Sequence, residues 1–202
     1  MLSQICSLSL QLMTIKSTDK IMTVTEFTFQ QAENLIATPK VILESDGKSI
    51  CNFKQIDCAP GLRENITLQS TDEEFLFLWT IHRSAKESFK LSLNVLEKDS
   101  HIGIFRVDYV SESSIHPNPI IATEDVPDKL KAFAGKEIFG PHAHFNVSGY
   151  KTLQWAIPLK DTDFGVKSIV DEQNHIDIAS AINCFAKYIN ITTPILAQPN
   201  LI

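Results

Sequence analysis

The 202-residue chain is 44% hydrophobic and 21% charged, which suits one globular domain with an ordinary core and excludes a disordered or fibrous chain. Its formal net charge of −6 excludes a broad basic grip on duplex nucleic acid but leaves room for a small basic pocket. The cysteines, Cys6, Cys51, Cys58 and Cys184, are too scattered for a zinc knuckle or a redox pair, so they read as small buried hydrophobes of a cytoplasmic protein.

Residues 1–21 lack a basic start, a small-residue cleavage site and the length to span a membrane. They are expected to be a non-core N-terminal extension ahead of a single domain over residues 22–202. Thr28 followed by residues 29–36 predicts a short capped helix with one apolar stripe, stopped by Pro39. Residues 41–43 and 50–56 predict a hairpin across Asp46-Gly47. After a strand at 65–69, the runs 75–82, 91–96 and 102–109 alternate apolar and polar residues, the pattern of an antiparallel meander. Residues 111–124, with Pro117 and Pro119, predict a loop, and 127–134 a short helix ended by Gly135. A second hairpin is expected from 142–147 and 152–159, and an amphipathic helix over 176–191. The fold class is therefore α+β. An antiparallel sheet of about six to eight strands, meander plus hairpins, is covered on one side by the N-terminal and C-terminal helices.

Successive strand side chains point to opposite faces, so Arg106 and Asp108 share a face opposite Phe105, Val107 and Tyr109. The same count groups His142, His144 and Asn146 against Ala143, Phe145 and Val147. Taken singly, these polar residues read as an ordinary exposed ion pair and sheet-edge histidines. As a set they read as a site, because solvent faces of sheets usually carry Thr, Lys, Glu and Ser. The intervening loop adds His116, and Tyr150 follows the second histidine strand. The insertion at 120–140 leaves the position of His116 relative to the pair open. Three chemistries fit: metal-free phosphodiester cleavage by two imidazoles and an arginine, a shared metal with Asp108 or His116 as third ligand, or binding without reaction. No phosphate-cradling glycine loop, nucleophile elbow or HExxH helix is present, and His82, His101 and His175 read as structural or surface residues.

The run Arg106-Val107-Asp108, His116-Pro117-Asn118-Pro119, His142-Ala143-His144, Gly149-Tyr150 and Trp155-Ala156 resembles an uncharacterised family of short bacterial and prophage proteins with that motif order. More distantly, the order of the arginine and histidine motifs is similar to small toxins of the TumE type. That resemblance implies RNA cleavage by a compact α+β toxin held in check by an antitoxin. The leading expectation is thus a metal-independent RNase-like toxin without cofactor. His142 or His144 would be the base, the other histidine or His116 the acid, and Arg106 the stabiliser of phosphate charge. Asp108 would orient them, and Tyr150 would stack on or donate to the substrate. Arg83, Lys136 and Lys151 would supply the local field for RNA. The alternative is a non-enzymatic phage-type protein that inhibits a host defence component through the 111–140 segment.

Overall fold

A computed structural model describes residues 26–198, and the expectation for residues 1–21 lies outside them. Thr28 starts helix α1 (Phe29–Ala37) with a reciprocal cap: its hydroxyl accepts from Gln31 N–H, and the Gln31 side chain accepts from Thr28 N–H. Strands β1 (Lys40–Ile42), β2 (Lys54–Asp57), β3 (Arg63–Ser70), β4 (Leu76–Arg83), β5 (Leu91–Glu97), β6 (Gly103–Tyr109) and β7 (Ile115–Pro117) follow. A short helix α2 (Asp128–Lys131), strands β8 (Glu137–Phe139), β9 (His142–Phe145) and β10 (Trp155–Pro158), helix α3 (Ile178–Tyr188) and strand β11 (Ile195–Gln198) complete the order.

One seven-stranded sheet runs β1-β3-β4-β5-β6-β9-β10, with every neighbouring pair antiparallel. The α+β class and the meander β3 to β6 follow from the alternating pattern. Register then turns that pattern into two faces. Trp79, Val95, Phe105, Phe145 and Trp155 lie opposite one another across five strands and are all buried. One residue along, Thr80, Asn94, Arg106, His144 and Ala156 make the parallel row on the other face. The helices cover the apolar face. Phe29 of α1 sits 6.2 Å from the Phe145 ring, and Phe185 of α3 stacks at 6.1 Å on Trp79 and 5.8 Å on Phe105. Burying each such aromatic ring stabilises the fold by about 1.5–3 kcal/mol.

Local patterning misses one pairing and one strand and overextends two helices. The hairpin expected at 41–56 shrinks to a single bridge between Leu43 and Ile50, because β1 pairs with β3 and β2 pairs in parallel with β11. Asp46 does build the turn, accepting from Lys48 N–H and Ser49 N–H. Beyond it, Lys54 N–H and Cys58 N–H go to Pro194 and Gln198 carbonyls, partners from the far end of the chain. The expected loop at 111–124 contains β7, which pairs antiparallel with β8 in a separate ribbon. The helix expected over 127–134 is regular only over Asp128–Lys131, and the C-terminal helix is trimmed to Ile178–Tyr188, capped by Asp177. Cys51 and Cys58 are buried free thiols and Cys184 is half-buried; Cys6 lies outside the described residues. No helix among the described residues is long and apolar enough to cross a membrane.

Candidate functional site

The β6–β9 register places Arg106 opposite His144 and Asp108 opposite His142, so the four polar residues counted onto one face do meet there. Asp108, His142 and His144 are buried, while Arg106 remains 43% exposed at its side chain. Asp108 divides its two oxygens. Oδ1 accepts from Arg106 Nε at 2.9 Å, and Oδ2 faces His144 Nε2 at 3.0 Å and His142 Nε2 at 3.9 Å. Burial pushes this carboxyl upward, but the His144 hydrogen bond and the Arg106 charge outweigh it and hold Asp108 well below the usual carboxylate range. Asp108 is thus an ionised anchor.

His116 joins them through the β7–β8 ribbon, where it pairs with Ile138. Its ring centroid lies 4.6 Å from His144 and 5.4 Å from His142, and the latter two are 4.7 Å apart. What holds β7 in place is Asn118. Its amide donates to Phe133 O at 3.1 Å and Ala156 O at 2.7 Å, while its Oδ1 accepts from Ala156 N–H at 2.8 Å. One side chain therefore does for edge strand β10 what a neighbouring strand would do. Asn118→Ala is expected to cost about 2–3 kcal/mol, because buried backbone groups of Ala156 lose their partners. Urea unfolding measures that loss. An unchanged midpoint would show that water replaces the amide.

Each imidazole is fixed by one backbone carbonyl. His142 Nδ1 meets Gly140 O at 2.7 Å, His144 Nδ1 meets Leu153 O at 2.9 Å, and His116 Nε2 meets Gln154 O at 2.8 Å. Two of these carbonyls come from unusual backbone. Gly140 has φ 69°, and a Cβ there would meet Glu112 Oε2 at 2.5 Å. Leu153 sits at φ 57°, a left-handed conformation uncommon for a leucine. Burial pushes His142 down to about 4, against the opposing pull of its Gly140 hydrogen bond. Burial likewise lowers His116, with the Gln154 carbonyl acting against it. The His142 ring is neutral at pH 7. The cluster forms the floor of an open cavity of about 490 Å³, whose wall includes Lys151, Ser114 and Ile115.

Other residues of the expected set go elsewhere. Tyr150 does not line the cavity; its hydroxyl donates to Ile121 O and accepts from Thr123 N–H, which ties down the segment between β7 and α2. Asn146 is buried and donates to Phe27 O. Of the three cations expected to attract RNA, only Lys151 lines the cavity. Arg83 donates to the Cys58 carbonyl, and Lys136 lies over the Phe133 ring. His82, His101 and His175 are exposed, and His175 is paired with Asp171. Sequence reasoning missed the positioning roles of Asn118, Gly140 and Leu153. The signals available were Asn118 between two prolines and Gly140 just before the paired histidines.

Comparison with curated proteins finds no match, and comparison with solved structures finds none. A model described as a family of unknown function (DUF6978) matches residues 27–191. That span holds every strand from β1 to β10 and all the site residues, and the chain belongs to this family.

Proposed function

We propose that the protein hydrolyses RNA phosphodiester bonds at the histidine cluster, acting as a toxin restrained by a partner protein. The observation that carries this reading is convergence. Three imidazoles from two separate strands turn one nitrogen each toward a common point, within 4.8 Å of one another. Beside that point Arg106 is bound only through Nε, and neither Nη makes a hydrogen bond among the described residues. A guanidinium so placed can take two non-bridging phosphate oxygens.

The spacing bears on how the reaction runs. A base and an acid flanking a phosphate are separated by two hydrogen bonds of about 2.8 Å each plus the phosphoryl group itself. Nitrogens within 4.8 Å leave no room for that arrangement, which disfavours the histidine acid–base pair expected from sequence. The cluster is better suited to activate one nucleophilic oxygen. Water oxygen bonds to phosphorus as the bond to the leaving ribose oxygen breaks; an imidazole of the cluster takes the water proton, the leaving oxygen is protonated from solvent, and Arg106 meets the charge that gathers on the non-bridging oxygens. Arg106 and Lys151 provide local attraction on a protein of net charge −6.

The test is incubation of untagged protein with single-stranded RNA and with DNA of the same sequence, alongside expression in cells lacking a partner. RNA cleavage and growth arrest, both relieved by His144→Ala, are expected. Lys151→Glu should weaken RNA binding and flatten its salt dependence.

A second reading has its own observation. Ile115, Ile120, Ile121 and Phe139 are exposed large apolar residues of the β7–β8 region, with Ile120 at 84%. Such a patch suits a protein partner. If purified protein neither binds nor cuts RNA at low salt yet captures one protein through this patch, the hydrolase reading fails and the non-enzymatic inhibitor takes its place.

A further inference from the structure

We propose that His116, His142 and His144, with the Asp108 carboxylate, bind one divalent transition-metal ion of the zinc type. Hydrogen-bond direction fixes where the ring protons sit. A backbone carbonyl only accepts, so the ring nitrogens on Gly140 O, Leu153 O and Gln154 O each carry a proton. In a neutral imidazole the other nitrogen then presents a lone pair. For His142 that nitrogen is Nε2 and for His116 it is Nδ1, whereas His144 Nε2 donates to the Asp108 carboxylate and would release that proton to an incoming ion.

These are the nitrogens that the cluster brings together. Neither His142 Nε2 nor His116 Nδ1 makes a hydrogen bond among the described residues, and His142 is 5% exposed. Lone pairs gathered at one point repel unless a cation sits between them. The pattern of one ring nitrogen on a backbone carbonyl and the other turned inward is the outer-shell arrangement that orients metal-ligating histidines. Here His142 and His116 show it, and His144 shares the carbonyl contact with its inward nitrogen on Asp108.

Asp108 supplies the negative charge. Its Oδ2 accepts from His144 Nε2 at 3.0 Å. An ion entering between them would displace the Nε2 proton to solvent and replace one hydrogen bond with two coordination bonds. Bonds of about 2.0–2.1 Å in a tetrahedral arrangement place neighbouring ligand atoms about 3.3 Å apart. The 3.0 and 3.9 Å separations of Oδ2 from the two Nε2 atoms bracket that value. Arg106 holds Oδ1, so the carboxylate is aimed before any ion arrives. Three nitrogens and one oxygen, with no thiolate lining the cavity, favour zinc, iron, nickel or copper over magnesium and calcium. The open cavity admits a water as a further ligand, which would be the oxygen activated in the hydrolase reading.

The inference concerns the same cluster as the proposed hydrolysis, but its readout is independent of activity. Full-length protein purified without a histidine tag should contain one first-row transition-metal ion per chain by elemental analysis. Stripping with dipicolinate should lower the melting temperature by several degrees, and zinc chloride should restore it. Cobalt(II) added to the stripped protein should give the visible absorption of a four- or five-coordinate nitrogen–oxygen site. His142→Ala and His116→Ala should lose at least nine-tenths of the bound zinc, and Asp108→Asn should weaken zinc binding about 10- to 100-fold. His101→Ala and His175→Ala should leave it at one ion per chain. Stripped wild-type protein that stays folded and takes up neither zinc nor cobalt at micromolar concentration would overturn the inference without any variant. Wild-type protein that takes up no zinc yet still cuts RNA would overturn it while leaving the hydrolase reading intact. Stoichiometric zinc with no RNA cleavage would support it and count against RNA hydrolysis.

Discussion

Arg106→Ala is expected to lower kcat/KM for RNA cleavage by about 10²- to 10³-fold, the usual cost of removing one preorganised donor to transition-state charge. Arg106 is the cation of the cluster with free donors, and its guanidinium lies open to the cavity. The expected loss of stability is smaller. The side chain is 43% exposed, and Asp108 retains its His144 partner after the change. Thermal melting should therefore shift by only about 2–4 °C, equivalent to about 1 kcal/mol in a chain of this size. Arg106→Lys separates charge from geometry: it keeps the positive charge but loses the planar fork, so it should recover binding better than rate. Equal losses of activity and folded fraction in Arg106→Ala would instead assign the residue to structure.

Lys40→Met is expected to do the reverse, costing about 3–5 kcal/mol of stability while leaving the activity of folded molecules unchanged. Lys40 is 1% exposed, and its Nζ donates to Leu35 O at 2.6 Å, Ile36 O at 3.1 Å, Thr38 O at 2.7 Å and Ile189 O at 2.9 Å. One amine thus serves the carbonyls left over at the C-terminal ends of both α1 and α3, where a positive charge is also favoured by the helix dipoles. Burial pulls this amine down to about 7, and the four carbonyl oxygens around it share the three protons of its ammonium form. Methionine fills the same volume and satisfies none of the oxygens. A fall on the order of 10 °C in melting temperature follows from the per-kilocalorie scale for a chain of this length. β1 lies at the opposite edge of the sheet from β9 and β10, so the cluster should not sense the change. A Lys40→Met variant as stable as the parent would show that solvent reaches those carbonyls.

The contrast between these two lysine and arginine positions shows what local patterning can and cannot reveal. Arg106, Asp108, His142 and His144 were legible because period-two alternation assigns faces without knowledge of the partner strand. His116 was a candidate whose place beside them stayed open, since β7 is three residues long and ends on a proline, and its partner Ile138 lies beyond α2. The apolar layer of α1 and α3 was legible from helical periodicity. The parallel pairing of β2 with β11 was not, because it joins segments from opposite ends of the chain. Lys40 carries no sequence signal of burial, being a lysine at the start of an edge strand. Tyr150 shows the opposite error: proximity to the histidines in sequence suggested a site role, whereas its hydroxyl holds Ile121 and Thr123.

If RNA is hydrolysed as proposed, His116 works in one reaction centre with His142 and His144, although β7 lies outside the main sheet. A double-mutant cycle of His116→Ala and His144→Ala, read as kcat/KM for RNA cleavage, tests it most directly. Residues that act as a unit are strongly non-additive, so either single change should lower the rate nearly as far as both together. Losses that multiply, with a double variant much slower than either single one, would contradict the account and make His116 an independent neighbour.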